Sequence, residues 1–383
     1  MYLIPVPKKL TQKDGETFVI RYNSRIVMAG ECDLQVTSYA KLLKKDILDK
    51  LGFSLDITKG EPEDNCIFIG SDINLEPQGY KIHITHEGIK LFGGSNAGIL
   101  YAVQTLRQLI ESNGAVFNGL DIEDWPDMKH RGFLHDVTRG RIPTLASLKA
   151  LADKLAYYKI NQLQLYIEHS FLFKDFSEVW RDDTPLTAEE ILELDAYCKN
   201  LHIELVPSIA SFGHLYKVLT TKTYANLCEL PDSDKDEFSF YERMAHHTLD
   251  VSNEESYLFV TRMLEEYIPL FSSKYFNICA DETFDLGKGK SKDLADRVGV
   301  DNMYVGFLKR LFDFIISKGK RPMFWGDIIC QFPEAIKKLP EGVICLNWNY
   351  SPDVEETTTK IFAEAGVEQY VCPGVHGWNN YVN

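Results

Sequence analysis

The sequence predicts an α/β chain in two parts. A small α+β domain over residues 1–124 is followed by a (β/α)8 TIM-type barrel over residues 125–383 that stops after its seventh strand. Three observations carry this. From His130 onward, irregular short β runs give way to a regular alternation of strand-like and helical stretches, as in a parallel sheet with crossover helices. The loops after the second and third of these strands are much longer than those preceding them, which favours a barrel over an open sheet. Carboxylates and aromatic residues gather where the strands end.

Taken in order, residues 17–28 read as a strand, and residues 34–51 have helical periodicity closed by Gly52. Short β runs follow at 66–69, 80–85 and 89–92. A helix at 97–110 comes directly after Gly93-Gly94. That glycine spacing does not match a dinucleotide-binding fingerprint, so a tight turn with close helix packing is the expectation. Residues 121–127, which include Trp125-Pro126, read as the linker. The barrel strands are expected at 131–137, 162–167, 203–209, 275–280, 322–325, 343–348 and 368–372. The helices between them are expected at 145–158, 188–200, 254–271, 303–318 and 354–365. A full barrel needs an eighth strand, so the catalytic part is expected to be incomplete at its C-terminus.

Composition narrows the function. A net charge of −15, from 41 basic and 56 acidic residues, argues against a nucleic-acid backbone as partner. No stretch approaches the roughly 18 uncharged apolar residues of a membrane span, so no membrane partner is expected. The N-terminus carries two early prolines and no apolar core of a secretory signal. The eight cysteines are scattered without a Cys-x-x-Cys pair, so reduced thiols in a cytoplasmic setting are expected. No metal site and no cofactor are expected. His246-His247 lacks a second ligand pair, Gly289-Lys290-Ser291 lacks the earlier glycine of a phosphate loop, and no Gly-x-Ser-x-Gly occurs.

The chemistry is expected at the strand ends, which in a barrel share one mouth. The fourth strand ends on adjacent carboxylates, Asp281 and Glu282, read here as a catalytic pair. The first strand begins with Arg131 and carries Asp136, with Arg139 and Arg141 beyond it. The second ends on Glu168-His169, and the third leads to Phe212-Gly213-His214. The fifth ends Trp325-Gly326-Asp327, the sixth Asn347-Trp348-Asn349-Tyr350, and the seventh runs into His376-Gly377-Trp378. Tryptophan faces stack on sugar rings, and carboxylates with an arginine bind hydroxyls in pairs, so a carbohydrate is the expected partner.

These residues resemble glycoside hydrolase family 20, the exo-acting β-N-acetylhexosaminidases. The likeness rests on residues 125–139, Phe212-Gly213-His214, the Asp281-Glu282 pair, Trp325 and Trp348. In the first domain it rests on Gly79-Tyr80, Gly98-Ile99-Leu100-Tyr101 and Gln104-Thr105-Leu106. The resemblance implies a retaining, substrate-assisted hydrolase of terminal β-linked GlcNAc or GalNAc. In it, Glu282 is the general acid and base, and Asp281 orients the substrate's 2-acetamido group. Arg131 holds sugar hydroxyls, Glu168 and His214 support the pair, Trp325 and Trp348 wall the acetamido pocket, and Trp378 adds a further wall. It also implies a homodimer. The chain departs from the family pattern where His-x-Gly-Gly is replaced by Asn277-Ile278-Cys279-Ala280, and where Glu168-His169 replaces an Asp pair. Tyr370 is left without a role, and Asp285 reads as a solvated loop residue. Two other readings stay open: an O-GlcNAcase-type hydrolase, which would use an Asp-Asp pair, and a catalytically silent sugar-binding chain.

Overall fold

The computed structural model describes residues 2–375 apart from 233–238, 240–241, 243–245, 352 and 354–355, and Trp378 lies outside the described residues. The chain forms two compact units. The first comprises Met1–Phe133, Ala146–Gln162 and Ala196–Ile203, and the second comprises Leu134–Leu145, Leu163–Asp195 and Glu204–Asn383.

The first unit is built on β1 (Lys9–Val19), β2 (Arg25–Met28), β3 (Asp56–Lys59), β4 (Cys66–Ser71), β5 (Tyr80–Ile84), β6 (Gly88–Gly93) and β7 (Val116–Asp124). They make one mixed sheet in the order β1-β7-β5-β6-β4-β2-β3. β4 is an apolar run without alternation because it lies between parallel β2 and β6 and is buried nearly throughout. α1 (Leu34–Leu51) starts where the Asp33 carboxylate accepts the Val36 N–H. It stops where Gly52, at φ 82°, donates to Leu48 O. α2 (Asn96–Asn113) is capped by Ser95 and buries Ile99, Leu100, Val103, Leu106 and Leu109 in the core it shares with the sheet.

Two expectations change here. The single strand expected at 17–28 is two strands, the end of β1 and all of β2, separated by a turn whose Arg21 N–H donates to Ser24 Oγ. The expected linker at 121–127 begins inside β7, where Asp121 and Ile122 pair with both β1 and β5.

The remaining strands are β8 (Gly132–Asp136), β9 (Gln162–Tyr166), β10 (Glu204–Val206), β11 (Tyr275–Asn277), β12 (Arg321–Trp325), β13 (Ile344–Asn349) and β14 (Glu368–Pro373). They form a β10-β9-β8 sheet and a β11-β12-β13-β14 sheet, the latter parallel throughout. A parallel bridge between Ser208 and Asn277 joins them, with Asn277 N–H donating to Pro207 O at 2.8 Å. Spatial order therefore follows chain order from β8 to β14. The longer helices between them are α3 (Leu145–Tyr157), α4 (Ala188–Asn200), α5 (Glu254–Tyr267), α6 (Val300–Ser317) and α7 (Glu356–Glu364).

One side of these strands gathers Tyr166, Val206, Tyr275, Cys279, Met323, Trp325, Ile344 and Leu346 into a buried cluster, with Leu134, Trp348 and Tyr370 packed against it. Beside it Asn277, fully buried, donates to Gln164 Oε1 at 3.0 Å. An amide in that place meets its hydrogen bonds without bringing a charge into the interior. Among the described residues, no helix is long and apolar enough to cross a membrane.

Candidate active site

Neighbouring side chains on a regular strand point to opposite faces, so Asp281 and Glu282 can converge only if the strand breaks. It does: β11 ends at Asn277, short of the expected residue 280. Cys279, Ala280 and Glu282 then take φ values of 58°, 65° and 49°. Each left-handed residue bearing a Cβ costs about 1 kcal/mol. The first two stand where the resembled motif has Gly-Gly, so this turn needs support from outside.

That support is specific. Asn277 Oδ1 accepts the Cys279 N–H at 2.9 Å, and Ser211 Oγ donates to Ile278 O at 2.6 Å. Tyr304 of α6 donates its hydroxyl to Ala280 O at 2.9 Å, and Asp327 Oδ2 accepts the Glu282 N–H at 3.0 Å. The outcome is that both acids face one imidazole nitrogen. His214 Nε2 lies 3.1 Å from Glu282 Oε2 and 3.4 Å from Asp281 Oδ2.

His214 is itself left-handed, at φ 58°, and nearly sealed from solvent. The residue before it has to be glycine, because a Cβ on Gly213 would lie 2.5 Å from the Asp281 carbonyl oxygen. Gly213→Ala is therefore expected to displace the carboxylate turn. Such a shift should cost about 10²-fold in activity with the far-UV circular dichroism unchanged. Wild-type turnover in that variant would contradict this packing.

A chain of charges runs back from the pair. Arg139 Nη2 lies 2.7 Å from Glu168 Oε1, and its Nη1 lies 3.2 Å from Asp136 Oδ2. Tyr166 donates its hydroxyl to Glu168 Oε1 at 3.1 Å, and His214 Nδ1 stands 3.9 Å from the same oxygen. Burial works against charge on His214, yet Asp281, Glu282 and Glu168 together push its pKa up to about 10. Burial raises the Glu168 pKa, while Arg139 and His214 pull it the other way. Arg139 is opposed by burial but held cationic by Tyr166, Glu168 and Asp136. Within the pair, Glu282 is the more open, its side chain 29% exposed against 14% for Asp281.

The expected site residues divide as follows. Asp281, Glu282, Glu168 and His214 come together in one network. Trp325 is buried in the inner cluster, and Trp348 packs against that cluster with Tyr350 beside it, their ring centroids 4.8 Å apart. Tyr370 reaches the same cluster from β14.

Arg131 is a correction. Its guanidinium is taken up by Lys159 O, Met128 O, Gln78 Oε1 and the Tyr101 hydroxyl, all within the first unit. The reason is direction: Arg131 precedes β8, whereas Arg139 follows it, and parallel strands put their chemistry at the carboxyl end. Asp285 is the second correction. It is buried, and its carboxylate accepts the His247 N–H and contacts His246 Nδ1, both at 3.0 Å. Sequence reasoning quoted Arg139 and Asp327 but gave neither a role. The available signal for Arg139 was its place three residues after Asp136, just past the strand. Among the described residues, no group of three or more His, Cys, Asp or Glu side chains is arranged to hold a metal ion.

With the geometry in place, comparison with known proteins is direct. The family model for glycosyl hydrolase family 20, domain 2, matches residues 1–125, and that for the family's catalytic domain matches residues 128–375. A beta-hexosaminidase of Porphyromonas gingivalis is 26% identical over 362 residues, covering 85% of this chain and 45% of that protein. A beta-hexosaminidase of Vibrio furnissii is 26% identical over 318 residues, covering 74% of this chain and 49% of its own length. The chain thus spans about half the length of these curated relatives. The crystal structure of Flavobacterium johnsoniae chitobiase superposes with a TM-score of 0.83 at 21% identity, covering 97% of this chain and 59% of that one. Matches that run through both parts of the sequence make this chain a member of glycosyl hydrolase family 20.

Proposed function

We propose that the chain is an exo-acting, retaining β-N-acetylhexosaminidase that releases terminal β-linked GlcNAc or GalNAc with the substrate's own acetamido group as nucleophile. The observation that carries this is the convergence of two adjacent carboxylates on His214 Nε2, with the outer one the more accessible. Glu282 gives its proton to the glycosidic oxygen as the bond to the anomeric carbon breaks. The acetamido carbonyl oxygen attacks that carbon from the other face, and Asp281 accepts the acetamido N–H and balances the positive charge that develops. Glu282 then takes a proton from the water that opens the cyclic intermediate, which retains configuration. The tethered nucleophile supplies an effective molarity of about 10⁵ M or more, and the acid contributes about 10²–10⁴-fold. A cytoplasmic setting stays part of the proposal, supported by eight cysteines that are all free thiols.

Release of nitrophenol from its β-GlcNAc glycoside tests the reading, together with inhibition by a thiazoline that mimics the cyclised intermediate. Hydrolysis that the thiazoline blocks is expected. Hydrolysis indifferent to it, or to Asp281→Asn, overturns the substrate-assisted scheme. Sugar binding without hydrolysis supports the silent alternative.

Arg139 takes over the sugar-binding role first expected of Arg131. Arg139→Lys keeps the charge but loses the planar fork that reaches two carboxylates, and is expected to raise KM about tenfold or more. Arg131→Ala is expected to lower thermal stability instead. The reverse pattern would return the role to Arg131.

A further inference from the structure

Asp327 is a carboxylate beside the catalytic pair for which the scheme above has no use. It stands two residues past β12, and β12 runs parallel to β11 with Met323 paired to Asn277. The pairing is prolonged by Ile278 N–H to Met323 O and by Trp325 N–H to Cys279 O, both at 2.9 Å. The two strands therefore deliver their following turns side by side. The turn at Gly326 admits no larger residue, since a Cβ there would lie 2.5 Å from Cys345 Sγ and 2.8 Å from the Phe362 ring. Asp327 Oδ2 then accepts the Glu282 N–H at 3.0 Å. Its Oδ1 is closed off from solvent and has no hydrogen-bond partner among the described residues. The carboxylate is thus spent, through one oxygen, on the backbone of the neighbouring acid.

A glutamate at φ 49° sits in a region that L side chains avoid. Released from its acceptor, this residue would relax and swing its carboxylate away from His214. We propose that Asp327 is a positioning residue for proton transfer: it holds the Glu282 backbone left-handed and so fixes where the Glu282 carboxyl meets the leaving oxygen. This rests on the hydrolase reading of the site, and Asp327 touches no substrate in it. Burial, and then the nearby Asp281 charge, push the Asp327 pKa up to about 7, but either protonation state keeps a lone pair for the amide.

Asp327→Asn keeps an acceptor of the same reach, and Asp327→Ala removes it. Both are assayed on two β-GlcNAc glycosides, one with dinitrophenol as leaving group and one with an alkyl alcohol. Dinitrophenol needs little protonation to leave, whereas the alcohol needs it fully. Asp327→Ala is expected to lose about 10²-fold in kcat on the alkyl glycoside and at most about threefold on the dinitrophenyl one, with KM steady. Asp327→Asn should retain most of the activity on both. In a Glu282→Gln background, Asp327→Ala should add no further loss on the alkyl glycoside, because no proton remains to be aimed. Hydrogen exchange at the Glu282 amide needs no alanine variant, and slow exchange is expected in the wild type and in Asp327→Asn. Equal losses on the two glycosides, full additivity with Glu282→Gln, an asparagine variant as damaged as the alanine one, or fast exchange in the wild type would each overturn the proposal and leave the hydrolase reading standing. A wild-type chain that hydrolyses neither glycoside overturns both.

Discussion

Glu282→Gln is expected to lower kcat/KM by about 10²–10⁴-fold on glycosides with poor leaving groups. The substitution is nearly isosteric, so the turn at Cys279-Ala280 and the contact to His214 can stay in place. What disappears is the proton. A leaving alkoxide is a strong base that cannot depart unprotonated, whereas a nitrophenolate can. The loss should therefore shrink as the leaving group improves, and KM should move little, because the amide fills the same volume. The measurement is kcat/KM across a series of β-GlcNAc glycosides. A uniform loss across the series would mean that Glu282 does something other than donate a proton, and no loss at all would remove it from catalysis.

His214→Asn is expected to flatten the dependence of stability on pH in the alkaline range. The imidazole is almost entirely buried and stands between Asp281 and Glu282 on one side and Glu168 on the other. With its pKa raised from 6.5 to about 10, the folded chain binds this proton more tightly than the unfolded one does. A raised pKa stabilises fully below the unfolded value, and that contribution is lost as pH rises through the folded one. The window is thus pH 6.5 to 10, and the shift corresponds to a contribution on the order of 5 kcal/mol. The asparagine variant lacks this contribution from the start and takes the cation away from Asp281 and Glu282, while Glu168 keeps Arg139, so it should be less stable at pH 6.5 and converge on the wild type near pH 10. Urea unfolding of both proteins at pH 6.5, 8 and 10 gives the difference curve. Parallel curves would mean that His214 is neutral in the folded chain.

Much of this was legible in the sequence, for physical reasons that differ by element. α1 could be read end to end because its signals are local: Asp33 caps it and Gly52 stops it. β3 was not read, because Asp56-Ile57-Thr58-Lys59 is a short, mostly exposed edge strand with almost no apolar signal. β7 mixes Asn118, Gly119 and Asp121 into its run and is fixed by pairing on both sides, a tertiary cause.

In the site, the acid pair was legible because it directly follows an apolar strand. Its geometry was not, because three left-handed residues are imposed by Tyr304, Asn277, Ser211 and Asp327 from elsewhere in the chain. The exchange of Arg131 for Arg139 turns on which end of a five-residue strand each occupies, about 17 Å apart by strand rise. Asp285 differs from its expectation because a lone acid in a loop is usually solvated, whereas here it is buried and meets His246 and the His247 N–H from a distant part of the sequence.

The shared imidazole nitrogen has one more consequence. Nε2 carries a single hydrogen, yet two carboxylates stand within 3.4 Å of it. The imidazole hydrogen is therefore shared between the two carboxylates. On the proposed mechanism, an acetamido N–H arriving at Asp281 gives that carboxylate a donor of its own and leaves the imidazole hydrogen to Glu282. On the same reading, a sugar with no amide at C2 leaves the hydrogen shared. Selectivity for N-acetylated sugars would then begin as an arithmetic of hydrogens, settled before any bond is broken.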